Sequence, residues 1–375
     1  MKFTVSSSIL LPALQSLSKV ISSKNTLPVL DSFHFNLEEK RLVVTASDVE
    51  TKLVTTVELT ESEGLGVFCI DAKRLLDPLK ELPDQPLYFD VNDDNKSVVV
   101  KYANDGTFLL PGQSGDAYPQ SKPLKETAKK SSIESQVLLN GVTRTAFAAA
   151  DDDLRPVMNG IYFDLQPEHI TFVATDGHKL VRLRNTTVQT PEAAAFILPQ
   201  KPAKLLKDLL KKNDDVVTFQ FDDNNAYFVT PNFEMICRLI EGRFPNYDSV
   251  IPKDNPNIVT IERQPFINAL KRVSVFSNQA SNLVKLQISA NEIIISAQDI
   301  DFATSGEEKV KCDYTNTPLS IGFKAGFLID IIGNFTSHEI KLQLADPSRA
   351  GVLVPAENEA NEEQLMLLMP MMLND

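Results

Sequence analysis

Few residues have types and spacing that could do chemistry. Asp176 and His178 stand two apart in ATDGHKL, Ala174 to Leu180, where a carboxylate could orient an imidazole as a general base. Aspartates in matching contexts occur at Asp48 and Asp299, but neither has a histidine two residues later. A residue that returns without its partner is expected to cap a turn rather than drive a reaction. His34, His169 and His338 are scattered, and Cys69, Cys237 and Cys312 lack metal-ligand spacing, so neither a zinc cluster nor a disulfide framework is expected. The chain has no GxxxxGK[ST] loop and no GxGxxG turn, so no nucleotide cofactor is expected. The chemistry that remains is that of binding.

Two kinds of binding residue are concentrated. The segment KPAKLLKDLLKK carries Lys201, Lys204, Lys207, Lys211 and Lys212 against a single Asp208. Long cations of this kind suit phosphate, which they attract without reading sequence. Lys73, Arg74 and Lys80 lie on the corresponding helix nearer the N-terminus, and the third unit supplies Lys271, Arg272 and Lys324. One such helix alone would read as a solvated face; recurrence favours a shared anionic partner. The formal net charge of -13 is no obstacle, because exposed charges beyond roughly 8 Å are screened in physiological salt. Methionine is the other concentration: Met366, Met369, Met371 and Met372 crowd into QLMLLMPMMLND. Either this is a last core strand with a tail, or it is an adaptable apolar surface for peptides.

The elements that must position these residues come in a repeat. Residues 5 to 48 align without gaps on 133 to 176, an offset of 128, with Leu10 on Leu138, Phe35 on Phe163 and Asp48 on Asp176. A third copy starts at Ile261 and, after a shorter loop, places Leu286, Ile288 and Asp299 where Phe35, Leu37 and Asp48 stand. The chain therefore reads as three tandem domains, 1–124, 125–253 and 254–375. In each, Leu10, Leu14, Leu17 and Ile21 or their counterparts have helical spacing, and alternating strands such as FHFNLEEKRLVVTASD follow. A second helix and more strands complete the unit. The fold class is α+β, antiparallel sheets with helices on one face. Units docked in succession would form an arc or a rod, and the period does not say which. No run approaches the roughly 20 apolar residues of a membrane span, and the N-terminus lacks a signal-peptide pattern, so a cytoplasmic protein is expected.

The whole chain resembles the beta sliding clamp family of bacterial DNA polymerase III. The resemblance rests on MKFTV, TLPVL at Thr26 to Leu30, ATDGHKL, EGRFPNY at Glu241 to Tyr247, and LMPM at Leu368 to Met371. It implies a non-catalytic processivity factor: a head-to-tail homodimer closed into a ring, with helices inside and sheets outside, encircling double-stranded DNA. The partners it implies are a clamp loader complex, the replicative polymerase catalytic subunit, and other polymerases, mismatch-repair or ligase clients. DNA contacts are expected from Lys24, Lys73, Arg74, Arg155, Lys201, Lys204, Lys271 and Arg272.

A client-peptide pocket is implied at Met158, Thr175, Gly177, His178, Lys179, Leu180, Pro245, Val250, Leu367, Met369, Pro370 and Met371. The ring seam is implied at Phe108 and Leu110 against Val275 and Phe276. The chain departs from the family pattern in three places. Asp151, Asp152 and Asp153 precede Arg155, Asp248 and Ser249 follow Tyr247 where relatives carry basic residues, and Met372 stands where arginine is usual. A scaffold that does not bind DNA shares the same fold.

Overall fold

The computed structural model describes residues 1–121, 123–210 and 215–373, so Lys211 and Lys212 lie outside the described residues. The first repeat runs β1 (Lys2–Ser6), α1 (Ser7–Ser18), β2 (Ser32–Leu37), β3 (Arg41–Ser47), β4 (Thr51–Glu58), β5 (Glu61–Glu63), β6 (Gly66–Asp71), α2 (Ala72–Lys80), β7 (Pro86–Val91), β8 (Val98–Tyr102), β9 (Gly106–Leu110) and β10 (Gly112–Ser114). The second runs β11 (Lys129–Glu134), α3 (Ser135–Thr145), β12 (Gly160–Gln166), β13 (His169–Thr175), β14 (Lys179–Asn185), β15 (Ala194–Pro199), α4 (Gln200–Leu210), β16 (Val216–Phe221), β17 (Asn225–Val229) and β18 (Glu234–Arg238). The third runs β19 (Asn257–Glu262), α5 (Arg263–Ser274), β20 (Leu283–Ser289), β21 (Glu292–Asp299), β22 (Thr304–Lys311), β23 (Leu319–Lys324), α6 (Ala325–Gly333), β24 (Glu339–Leu344), β25 (Gly351–Pro355) and β26 (Glu362–Leu368).

Helix starts follow from local capping. The Ser6 side chain accepts from the Ser8 N–H at 3.3 Å, and Asp71 accepts from the Arg74 N–H at 2.8 Å. Leu10, Leu14 and Leu17 form the buried stripe of α1, while Ile21 lies beyond the helix end. Phe266, Leu270, Leu328 and Ile331 do the same for α5 and α6.

The chain divides into two compact units: Met1–Gln136 with Leu205–Leu239, and Val137–Lys204 with Ile240–Asp375. The middle repeat contributes strands to both. The reason is sheet continuity across repeat boundaries. In the first unit a nine-stranded sheet runs β10-β6-β2-β3-β4-β18-β17-β16-β11, so β4 of the first repeat pairs with β18 of the second. In the second unit an eight-stranded sheet runs β15-β12-β13-β14-β26-β25-β24-β19, so β14 pairs with β26. The register is equivalent: Leu53 faces Met235, and Val181, 128 residues after Leu53, faces Met366. All four side chains are buried. Met366 is therefore a core residue, unlike the methionines after it. The remaining sheets end on unpaired edges, β9 in β5-β1-β7-β8-β9 and β22 in β22-β21-β20-β23.

The repeated aspartate is a turn cap, as its recurrence suggested. Asp48 Oδ1 accepts from the N–H groups of Glu50 and Thr51 at 3.2 and 2.7 Å, Asp176 Oδ1 from His178 and Lys179 at 2.8 and 2.9 Å, and Asp299 Oδ1 from Asp301 and Phe302 at 3.0 and 3.3 Å. Asp176 also holds the Lys179 ammonium at 2.5 Å, both side chains being largely buried. Burial alone would push its carboxyl up, but the hydrogen bonds from Lys179 and His178 outweigh that and hold it below the ordinary 3.8. A carboxylate with a depressed folded-state pKa stabilises fully above its ordinary value, and that stabilisation fades as pH falls through the lowered one. Asp176→Asn should cost about 3 kcal/mol near neutrality, because it strands Lys179. The gap between wild type and variant in urea unfolding should narrow below about pH 4; a gap constant from pH 7 to pH 3 would contradict the assignment.

Candidate partner groove, cationic faces and open edges

The eight-stranded sheet presents a face on which Leu180 and Leu367 lie directly opposite each other on β14 and β26. They are buried in a cluster with Val173, Ile197, Phe244, Tyr247 and Ala350. Tyr162 stacks on Phe244 with ring centroids 4.7 Å apart, and the Tyr247 hydroxyl donates to Asp164 at 2.8 Å. Burial and the Asp164 bond raise the Tyr247 phenol above its ordinary range, so it remains a donor. The Asp176 turn forms one rim. Thr175 Oγ1 donates to the Lys179 carbonyl at 2.8 Å and accepts from the Gly177 N–H at 3.1 Å. Gly177 has φ +88, a backbone conformation that favours glycine, and a Cβ there would come within 2.8 Å of the Arg155 guanidinium. Lys179 lies 4.3 Å from the centre of the Phe327 ring, and Lys324 lies 4.7 Å from it.

The C-terminal segment joins this rim. The Met369 N–H donates to the His178 carbonyl at 2.9 Å, and the Met371 N–H to the Gly322 carbonyl at 2.8 Å. Met369 is 43% exposed and Val250 56% exposed, while Pro245, Pro370 and Met371 are half-buried. Hydrogen bonds and cross-strand pairing thus bring Thr175, Gly177, His178, Lys179, Leu180, Leu367 and Met369 together. Pro245 and Val250 flank the buried Phe244 and Tyr247. Met158 is half-buried on the turn Pro156–Met158, and its neighbour Val157 is the one that packs against the cluster. The sequence reading missed Val157, Tyr162, Val173 and Phe244. Tyr162 pairs across β12 and β13 with Val173, a same-face relation that alternation within one strand does not reveal.

The expected cations differ in their surroundings. Lys24, Lys73, Arg74, Lys204 and Lys271 are exposed, and Lys201 is half-buried. Arg155 and Arg272 are not simply presented to solvent. Arg155 Nε donates to Asp152 at 2.9 Å and a second guanidinium nitrogen to the Asp176 carbonyl at 3.3 Å. Arg272 makes two bonds to Glu308, at 2.9 and 2.5 Å, which raise its own pKa and lower that of Glu308. Both arginines would have to exchange an internal carboxylate for a phosphate, because an acid lies within reach in the fold. Lys324 is directed onto the Phe327 ring. Burial pushes the Cys69 and Cys237 thiols up to about 12, leaving them inert at neutral pH.

The residues expected at a seam lie on the edge strand β9 and beside the edge strand β22. On β9, Phe108 is half-buried with its ring 4.7 Å from Tyr102, and Leu110 is only 8% exposed. At the end of α5, Val275 and Phe276 are 77% and 40% exposed, and Phe276 covers Gly306 of β22, where a Cβ would meet its ring at 2.4 Å.

Comparison with known proteins agrees along the whole length. Family models match as the N-terminal domain (residues 1–122), central domain (132–246) and C-terminal domain (248–371) of the DNA polymerase III beta subunit. The beta sliding clamp of Pseudomonas putida is 29% identical over 376 residues, and that of Haemophilus influenzae 28% over 377, each covering 100% of both chains. Among solved structures, the sliding clamp of Pseudomonas aeruginosa bound to griselimycin superposes with a TM-score of 0.94 at 27% identity, over 100% of both chains. That of Bartonella birtlesii bound to the same compound gives 0.91 at 26%, again over 100% of both chains. With three successive domain matches spanning nearly every residue and relatives of the same length and fold, the chain belongs to the DNA polymerase III beta subunit family, the beta sliding clamps.

Proposed function

We propose that two copies of this chain close head to tail into a ring around duplex DNA and tether a replicative polymerase and other clients without catalysing a reaction. Repeat equivalence of the junctions carries the proposal. Following the sheet registers, Phe108 and Leu110 hold the places of Met235 and Cys237 on β18, and of Met366 and Leu368 on β26. Those counterparts are buried beneath β4 and β14. β22 holds the place of β4 and β14. Pairing β22 with β9 of a second copy would therefore repeat the two internal junctions and leave neither edge open. In that register Phe108 comes opposite the partner's Gly306, beside the exposed Phe276. Two such contacts close a ring; one would leave a chain free to polymerise.

The domains in this reading are 1–124, 125–253 and 254–375. Sliding requires attraction to phosphate that ignores sequence, which Lys24, Lys73, Arg74, Lys201, Lys204 and Lys271 supply. Arg155 and Arg272 contribute less, because each already holds a carboxylate. The Leu180–Leu367 face takes an extended client peptide, its apolar side chains entering beside Met369 and its backbone following the Asp176 turn. A polymerase clamp acts on the chromosome, which places the protein in the cytoplasm together with its loader. Weak, exchangeable peptide binding lets many clients share one groove.

Phe276→Asp should convert the dimer to monomer in sedimentation equilibrium, and an unchanged mass would remove the seam from the account. Met369→Ala should weaken a Gln-Leu-Phe client peptide by about tenfold in fluorescence anisotropy, the loss of one apolar side chain that the bound peptide would cover. Loaded by its loader onto nicked circular plasmid, the protein should be retained in gel filtration and released once the plasmid is linearised. Equal retention on both forms would point to a site-specific binder, and no retention on either to a scaffold that does not bind DNA.

A further inference from the structure

The repeat equivalence that matches β4–β18 to β14–β26 also matches what surrounds them. At the β4–β18 junction, within the first unit, the structure has a cavity of about 610 Å³. Its rim is the Asp48 turn, and the Arg238 N–H donates to the Glu50 carbonyl at 2.8 Å, as the Met369 N–H does to the His178 carbonyl at 2.9 Å. Glu50 and His178 are 128 residues apart. Ser47 and Val49 stand where Thr175 and Gly177 stand in the first groove. Pro119 follows a buried aromatic, Tyr118, as Pro245 follows Phe244. The architecture of the peptide groove is thus built twice.

The chemistry of the floor differs. Where Leu180 and Leu367 face each other, this junction has Lys52 opposite Ile236. Lys52 is half-buried, and burial lowers its ammonium pKa, with Glu234 working in the opposite sense. An ammonium partly stripped of water gains more from an incoming carboxylate than an exposed one does. Among the residues lining the cavity Lys52 and Arg238 are cationic and Glu50 is anionic, while Glu234 lies close to Lys52 outside the lining. Leu27 and Val49, 46% and 63% exposed, offer apolar contact on either side. Asn224 and Asn225 lie on the lining with side chains suited to a peptide backbone.

We propose that the β4–β18 junction is a second peptide groove, which takes an extended segment of a protein client bearing a glutamate flanked by leucines. The glutamate stem lies on Ile236, its carboxylate meets Lys52, and the leucines cover Leu27 and Val49. A half-buried lysine opposite an isoleucine is unlike the exposed cations expected to meet DNA. The two grooves select different peptides, so one clamp protomer holds two clients, or two segments of one client, at once. This inference rests on the reading of the Leu180–Leu367 face as a peptide groove.

The test uses the full-length protein and two fluorescein-labelled peptides, one carrying Gln-Leu-Phe and one carrying Leu-Glu-Leu, read by anisotropy. The acidic probe should bind wild type and the Met369→Ala variant alike, and excess unlabelled Gln-Leu-Phe peptide should not displace it. Lys52→Glu should weaken it by about tenfold or more while leaving the Gln-Leu-Phe probe unchanged, which also reports that the variant is folded. Lys52→Leu should lose the acidic probe as well. If the acidic probe does not bind, is displaced by the Gln-Leu-Phe peptide, or ignores Lys52→Glu, the second groove is overturned. Failure of the Gln-Leu-Phe probe to bind wild type would instead overturn the reading of the first groove.

Discussion

A strand edge leaves a row of backbone donors and acceptors that must be paired, covered or blunted, and this constraint organises the molecule. The chain meets it by joining repeats edge to edge. β4 takes β18 and β14 takes β26, and at each junction the inward side chains, Leu53 with Met235 and Val181 with Met366, continue the core across the boundary. Docking of repeats is therefore a sheet interaction with fixed register rather than a loose contact between surfaces. The same geometry accounts for compact units that cut across the repeat pattern, because each contains strands of different repeats hydrogen-bonded into one sheet. β9 and β22 are among the edge strands of the described residues, with Phe108 on the first and Phe276 against Gly306 of the second.

The turns beside these junctions separate what the fold requires from what binding requires. In each repeat an aspartate carboxylate accepts two backbone N–H groups and fixes the hairpin, so that residue does not vary. The residues it carries do vary. Val49 and Glu50, Gly177 and His178, and Ile300 through Phe302 present three different surfaces from one backbone device. A rigid turn that positions variable tips is a usual way for a repeated scaffold to diversify binding. The strand pairs beside these turns differ as well: Leu180 faces Leu367 at one junction and Lys52 faces Ile236 at the other.

Electrostatics in this chain is local. The net charge of -13 is an average, and lysines concentrate on the second helices of the first two repeats, Lys73 and Lys80 on α2 and Lys201, Lys204 and Lys207 on α4, while α6 carries none. Acidic neighbours also hold two arginines in the fold, Arg155 through Asp152 and Arg272 through Glu308. Exchanging an internal carboxylate for a phosphate would gain less than offering a solvated cation.

The sequence by itself determined the triplication, the two helices and flanking strands of each repeat, and the aspartate turns. These are written locally: a buried stripe at helical spacing in Leu10, Leu14 and Leu17, alternation along strands, and a carboxylate two and three residues before the amides it accepts from. It also carried the family motifs that converge on the Leu180–Leu367 face. Only the tertiary structure decided which distant strands meet, as when Lys179 comes opposite Leu368, and which cations find internal acids. It alone assigned Met366 to the core and Met369 to the rim, and stacked Tyr162 on Phe244. The physical reason is range. Periodicity records which face of an element is buried, while register and ion-pair choice depend on partners tens to hundreds of residues away, where one pairing wins only by the sum of many small packing terms.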